Sequence, residues 1–300
     1  MKVAQLNRYP VKSMLGESLD EATVGPNGIA GDRAWALRAE GATVTGKKYP
    51  QLMSAQASFV ELPTNERGSA AASITLPDGT CFETNDDQTP ARLSAWLETE
   101  VSLWPLVSPD NLEFFRRAPA GDISAEQMDA QLRAVFSRLP DEPLPDLASF
   151  PAEVLEFDTP PGTYFDAYPI LLMSETALDS LGSRASNNFD QRRFRPNILI
   201  KDMTADSAGD KNRDFPENNL AGKHLKIGDV VLSVEMPCPR CIMTTHPVAE
   251  LPKDPNIMRQ LVTHNDGNLG VYARIIKGGT MRLGDTMEIL DNPQPQRAGS

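Results

Sequence analysis

Along the first hundred residues, apolar positions come in short alternating runs broken by glycine, proline and asparagine. Residues 3–6 open as a strand, and Pro10 ends its ladder because proline has no backbone N–H to donate. Residues 21–24 followed by Gly25-Pro26-Asn27-Gly28 read as a strand and a turn, and residues 34–37 as the next strand. Pro77-Asp78-Gly79 between residues 73–76 and 80–82 predicts a hairpin. Thr89-Pro90 opens a helix through Leu97, with proline at the first helical position, where its missing N–H costs nothing. Val101 and Leu103, running on to Trp104, return to strand.

The pattern then changes. Ser124 and Gln127 form a capping box, and Ile123 and Met128 are spaced as a hydrophobic staple. Met128, Leu132, Val135, Phe136 and Leu139 keep one helical face apolar. Pro140, Pro143, Pro145, Pro151, Pro160 and Pro161 follow, and this density reads as an irregular crossing segment. Residues 165–173 form an apolar run of strand length, Ser174 caps a helix over 175–181, and residues 197–200 are a buried strand. Residues 204–219, rich in Gly, Asp, Asn and Lys, read as a surface loop. Residues 225–229 turn into a strand at 230–234 that runs directly to a cysteine pair. Residues 270–275 and 287–290 look like closing strands. Many short strands and few long helices predict a β-rich α+β chain with a barrel-like core and helical additions. The division expected is 1–120, then 121–292 with 121–162 as the crossing segment, then a tail at 293–300.

Charge and composition narrow the function classes. The 300 residues carry 29 basic and 41 acidic side chains, a net charge of −12. A general phosphate-backbone binder presents a basic face, so nucleic acid is not an expected partner. No stretch approaches the roughly 18–20 apolar residues of a spanning helix, and the first residues lack the apolar core of a signal peptide, so no membrane is expected either. A cytoplasmic location follows as an expectation, and three cysteines are too few for a disulfide scaffold.

Two of those cysteines stand in Cys238-Pro239-Arg240-Cys241. They can be read as buried thiols at a strand end. A zinc half-site needs two more ligands, and only Cys81, His224, His246 and His264 remain, with no second pair. A thioredoxin-like redox pair belongs at a helix N-terminus, whereas Ile242-Met243-Thr244-Thr245-His246-Pro247 is β-branched and stopped by proline. Arg240 beside Cys241 would favour a thiolate, and a soft thiolate suits a transition metal that arrives with its own cofactor.

Four motifs in order carry a family resemblance: Tyr9-Pro10-Val11-Lys12-Ser13, Gly31-Asp32-Arg33, Arg195-Pro196-Asn197-Ile198, and Cys238 through Thr245. With Gly270-Val271-Tyr272 and Gly284-Asp285, the chain resembles MOSC proteins that carry a MOSC N-terminal domain, and is similar to the mitochondrial amidoxime-reducing components and their bacterial counterparts. The resemblance implies a MOSC β-barrel-like domain packed with a smaller mixed α/β N-terminal domain, and a molybdenum cofactor (Mo-molybdopterin). It makes Cys241 the metal ligand and catalytic residue and leaves Cys238 without a role. Cofactor contacts fall by the same resemblance on Lys12, Ser13, Arg33, Asp166, Arg195, Asn197, Arg240 and Tyr272. Independently, an anionic pterin in an acidic protein calls for locally gathered Lys and Arg; Lys47, Lys48, Arg192 and Arg193 are near enough in sequence to contribute.

The chain departs from its relatives at Pro239, where serine is common, at Ala167, where a small hydroxyl residue occurs, and at His246-Pro247 in place of an acidic-proline step. These changes bear on substrate preference. The implied activity is reduction of small N-hydroxylated or N-oxide-type substrates by oxygen-atom transfer to molybdenum. Three cysteines cannot hold both the metal and a four-cysteine cluster, so a separate flavin, iron–sulfur or haem electron donor is implied. The alternative is a non-catalytic carrier of molybdenum cofactor or sulfur.

Overall fold

The computed structural model describes residues 1–64, 69–117, 121–184, 189–202 and 213–290. The expected tail at 293–300 and residues 204–212 of the expected loop lie outside them. The N-terminal third supplies strands β1 (Lys2–Arg8), β2 (Glu17–Leu19), β3 (Glu21–Gly25), β4 (Gly28–Ile29), β5 (Trp35–Ala39), β6 (Ala42–Thr43), β7 (Gln56–Phe59), β8 (Ala72–Thr75) and β9 (Cys81–Glu83). Helix α1 (Thr89–Leu97) and β10 (Ser102–Pro105) follow. Short helices α2 (Leu112–Phe115), α3 (Ala125–Phe136) and α4 (Ala152–Glu156) lead to β11 (Ile170–Ser174), α5 (Glu175–Arg184) and β12 (Ile198–Lys201). The chain closes with β13 (His224–Ile227), β14 (Val230–Pro239), α6 (Asn256–Asn265), β15 (Asn268–Lys277), β16 (Gly279–Arg282) and β17 (Met287–Leu290).

Eight strands make one curled sheet in the order β17-β13-β14-β15-β11-β12-β1-β2. Its centre is set by sequence period. Ile170 and Leu172 of β11 and Ile198 and Ile200 of β12 point to one face, into a core with Leu6, Leu225, Leu232 and Val271. Leu171, Met173 and Leu199 point to the other, where Ala177 and Leu181 of α5 and Ile257, Met258 and Leu261 of α6 cover them. Strands buried on both faces read as continuous apolar runs, and β11 and β12 are the sheet's parallel pair, joined through α5. A second core, with Val11, Leu37, Leu52, Ile74, Phe82 and Leu93, is built by β5 to β10 and α1.

Residues 9–13 cross between the two cores. After β1 the chain leaves the large sheet, and Val11 bridges Trp35 of the neighbouring sheet. Lys12 N–H donates to Trp35 O (2.8 Å) and Trp35 N–H to Pro10 O (3.0 Å). This crossing places Lys12 and Ser13 at the seam.

Two expectations are corrected, and one helix is added. The run at 165–173 becomes strand only from Ile170, because Pro169 offers no donor and residues 165–168 serve the seam. The stretch ending at Asn219 is not wholly surface: Phe215, Pro216 and Glu217 are buried. Helix α6 has no counterpart in the sequence reading, although Ile257, Met258 and Leu261 make its buried stripe.

Candidate functional site

All nine residues singled out from sequence line one cavity at the seam: Lys12, Ser13, Arg33, Asp166, Arg195, Asn197, Arg240, Cys241 and Tyr272. They come from the crossing after β1, the turn before β5, the segment before β11, the corner before β12, the end of β14 and the middle of β15. Ser13 (φ 70°), Arg33 (φ 50°) and Arg195 (φ 58°) are left-handed non-glycine residues. Such conformations cost on the order of 1–3 kcal/mol each and persist where the surroundings over-determine them.

Lys12 is buried, and its Nζ donates to Tyr164 O (2.8 Å) and Asp166 Oδ1 (2.7 Å). Burial lowers its pKa, and Asp166 opposes that shift. The Asp166 side chain stays 56% exposed at the mouth. Its surroundings disfavour the charge, yet Lys12, Lys47 and Arg33 together hold the carboxyl well below the usual carboxylate range. Arg33 bonds Asp32, whose carboxylate also takes Tyr9 N–H (2.8 Å) and Asn197 Nδ2 (3.0 Å). Asn197 Oδ1 accepts from Leu171 N–H (3.1 Å), so this amide braces the wall. Ser13 Oγ accepts from Gly46 N–H (2.9 Å), which fixes the turn that carries Lys47.

Arg195 is the outlier. It is buried, its Nη1 bonds Met14 O, and its Nη2 is buried without a partner. Burial, and then repulsion from Arg33, lower its pKa to about 10. A buried N–H with nothing to bond costs about 1–3 kcal/mol, which an anion in the cavity would recover.

The two thiols differ. Cys238 is buried and accepts from Arg240 Nη1 (3.0 Å); burial raises its pKa against the pull of Arg240. The other arm of Arg240 donates to Phe194 O (2.6 Å). The sequence reading set Arg240 beside Cys241; the guanidinium hydrogen-bonds Cys238, two residues back, and its charge also attracts Cys241 through space. Tyr272 lies close to Cys238, and burial raises its pKa well above the ordinary value. Cys241 is partly exposed and leads into a short 3-10 turn (Ile242–Thr245), not the helix a redox pair needs. Lys47 lines the cavity as well; burial works against its charge, but Cys241 and Asp166 raise its pKa overall.

The remaining charges divide. Arg193 lines the cavity but spends its arms on His246 O (2.7 Å) and Pro252 O (2.6 Å). Lys48 pairs with Glu40 on the surface, and Arg192 with Asp190 and Glu250. Six Lys or Arg side chains and one carboxylate, Asp166, therefore line this cavity, in a chain of net charge −12. Among the described residues, no group of three or more His, Cys, Asp or Glu is placed to hold a metal by itself. Sequence reasoning missed the braces Asp32 and Tyr9, whose motifs were visible but whose bracing bonds span 23 to 187 residues.

Two family models match in order along the chain: the MOSC N-terminal beta barrel domain over residues 1–102 and the MOSC domain over 161–288. The chain is 25% identical to mitochondrial amidoxime reducing component 2 of Bos taurus, across 94% of this chain and 81% of that protein. It is 26% identical to mitochondrial amidoxime-reducing component 1 of Mus musculus (96% and 82%) and 28% identical to that of Homo sapiens (81% and 65%). With the two models in this order and the strand-rich fold they describe, the chain belongs to the MOSC-domain proteins that carry a MOSC N-terminal beta barrel domain.

Proposed function

We propose that the chain is a molybdenum-cofactor-dependent oxidoreductase that reduces N-hydroxylated or N-oxide-type compounds with electrons from a separate donor. The observation that carries this reading is the cavity itself: six cations, two buried guanidinium N–H groups without partners (Arg195 Nη2 and Arg193 Nε) and one accessible thiol in an acidic protein. That donor set fits an anionic, phosphorylated pterin whose metal seeks one soft sulfur ligand. The amidoxime-reducing names of the relatives point to the same chemistry.

Arg33, Arg195 and Lys12 would hold the anionic group, and Cys241 Sγ would be the sulfur that meets the metal. When bound, such a cofactor supplies the two-electron chemistry that takes oxygen from an N–O bond, which no side chain here can supply. The protein's share is binding and proton management. Reduction of an N–OH group consumes two electrons and two protons and yields N–H and water. Lys47 Nζ carries a proton on the Cys241 side of the cavity, held there by Asp166 and Cys241. Asp166, ionised at the mouth, fixes Lys12 and leaves an open edge for a small substrate.

The test is metal and pterin analysis of the purified protein, followed by reduction of an amidoxime with reduced viologen as donor. Bound cofactor with turnover supports the reading. Bound cofactor without turnover on any N-oxygenated substrate would replace it with a carrier role, and absence of cofactor from protein made in a cofactor-producing host would refute it.

A further inference from the structure

Two guanidiniums of the cavity share one aromatic ring. The Cζ of Arg195 stands 4.2 Å, and that of Arg33 5.0 Å, from the centroid of Tyr9. Like charges so placed repel, and the two are compensated unequally. Arg33 has the Asp32 carboxylate, whereas among the described residues Arg195 has no ion pair, only Met14 O and the ring. The negative face of an aromatic ring attracts a desolvated guanidinium without using up any N–H. The N–H groups therefore stay free for a ligand, as the unpartnered Nη2 of Arg195 is.

The ring is itself fixed. The Tyr9 hydroxyl donates to Pro196 O (3.0 Å), on the residue after Arg195, so it ties the ring to the left-handed corner that presents the guanidinium. Tyr9 N–H donates to Asp32, the partner of Arg33. Gly16 closes the ring edge: a Cβ there would come within 2.7 Å of Tyr9 Cδ1. Tyr9 is 5% exposed. We propose that Tyr9 is a positioning residue that holds Arg33 and Arg195 together as one two-armed receptor for a phosphate-type anion. This rests on reading the cavity as the seat of an anionic cofactor, but it concerns anion affinity rather than turnover.

The experiment measures inorganic phosphate binding to cofactor-free full-length protein by calorimetry, and molybdenum content of protein as isolated. Tyr9→Phe keeps the ring and should bind phosphate within about threefold of wild type. Tyr9→Leu loses the ring and should bind about tenfold more weakly, with matching loss of molybdenum. In an Arg195→Ala background the same Tyr9→Leu change should have a much smaller effect, within about threefold, since only the Arg33 arm, farther from the ring and already paired with Asp32, is left to act on. Should Tyr9→Leu not fold, a pentafluorophenyl ring at position 9, which keeps the shape and reverses the quadrupole, should weaken binding as Leu would. Unchanged affinity with either replacement, or an undiminished effect without Arg195, would overturn the inference and leave the anion site standing. Failure of the wild type to bind phosphate would overturn both.

Discussion

Cys238 and Cys241 are three residues apart and meet different chemistry. Cys238 is sealed between Arg240 and Tyr272, while Cys241 opens on the cavity. Cys241→Ser is expected to lower molybdenum content and cut reductase activity by at least ~100-fold. Cys238→Ser, whose hydroxyl can still accept from Arg240, should stay within about tenfold. Metal analysis and viologen-driven assays of both variants check this; equal losses would revive the redox-pair reading. Glu217 poses a different question. It is fully buried behind β11 and β15, its Oε2 accepts from Ser174 Oγ (2.5 Å), and its Oε1 has no partner. Burial raises its pKa to about 7. The unfolded carboxyl releases its proton near its ordinary value, while the folded one keeps it to about pH 7. Stability from this group is therefore greatest in acid and falls as pH climbs between those two values, by roughly 3 kcal/mol. Glu217→Gln cannot ionise, so thermal melts should show a flatter slope over that window and equal or higher stability at pH 8.

Elements whose signals are local were legible, and those set by distant contacts were not. Helix α1 has the predicted bounds, the hairpin of β8 and β9 closes at Pro77-Asp78-Gly79, and Ser124 and Gln127 make the capping box. These depend on neighbours within a few residues. Where β11 begins, why Glu217 is inside, and the existence of α6 depend on what packs above and below. The site divides the same way: its residues were found through family motifs, whereas Asp32 and Tyr9 gain their roles only when the crossing meets the 195–197 corner. Helix α3 shows that a correct local reading need not mean a core element. Its cap forms as expected, yet none of its residues is buried, and Met128 and Val135 are 39% and 37% exposed. Removing the cap with Ser124→Ala costs about 1 kcal/mol, but the loss should stay local. Hydrogen exchange over residues 125–136 should speed up roughly fivefold, while the global melting temperature stays within about a degree.

At the scale of the whole molecule, the charge distribution and the cysteine count bear on how electrons would arrive under the reductase reading. Positive charge is gathered in the cavity, and the rest of the chain is acidic. Of three cysteines, Cys238 is bonded to Arg240, Cys81 lies exposed on β9, and Cys241 faces the cavity. A four-cysteine cluster therefore has no ligands in this chain. The sequence also has no G-x-G-x-x-G opening a helix, which a nicotinamide pyrophosphate would use. A hydride must be divided into single electrons, as a flavin does, before a one-electron carrier can pass them on. If the reductase reading holds, reduced viologen should drive amidoxime reduction by the isolated chain, while NADH or NADPH alone should give under about 1% of that rate. Adding a flavin reductase with an iron–sulfur or haem carrier should restore turnover, and a steady-state assay with each donor in turn checks this. Sustained NADH-driven turnover by flavin-free protein would place a hydride-accepting site in this fold and remove the need for a partner.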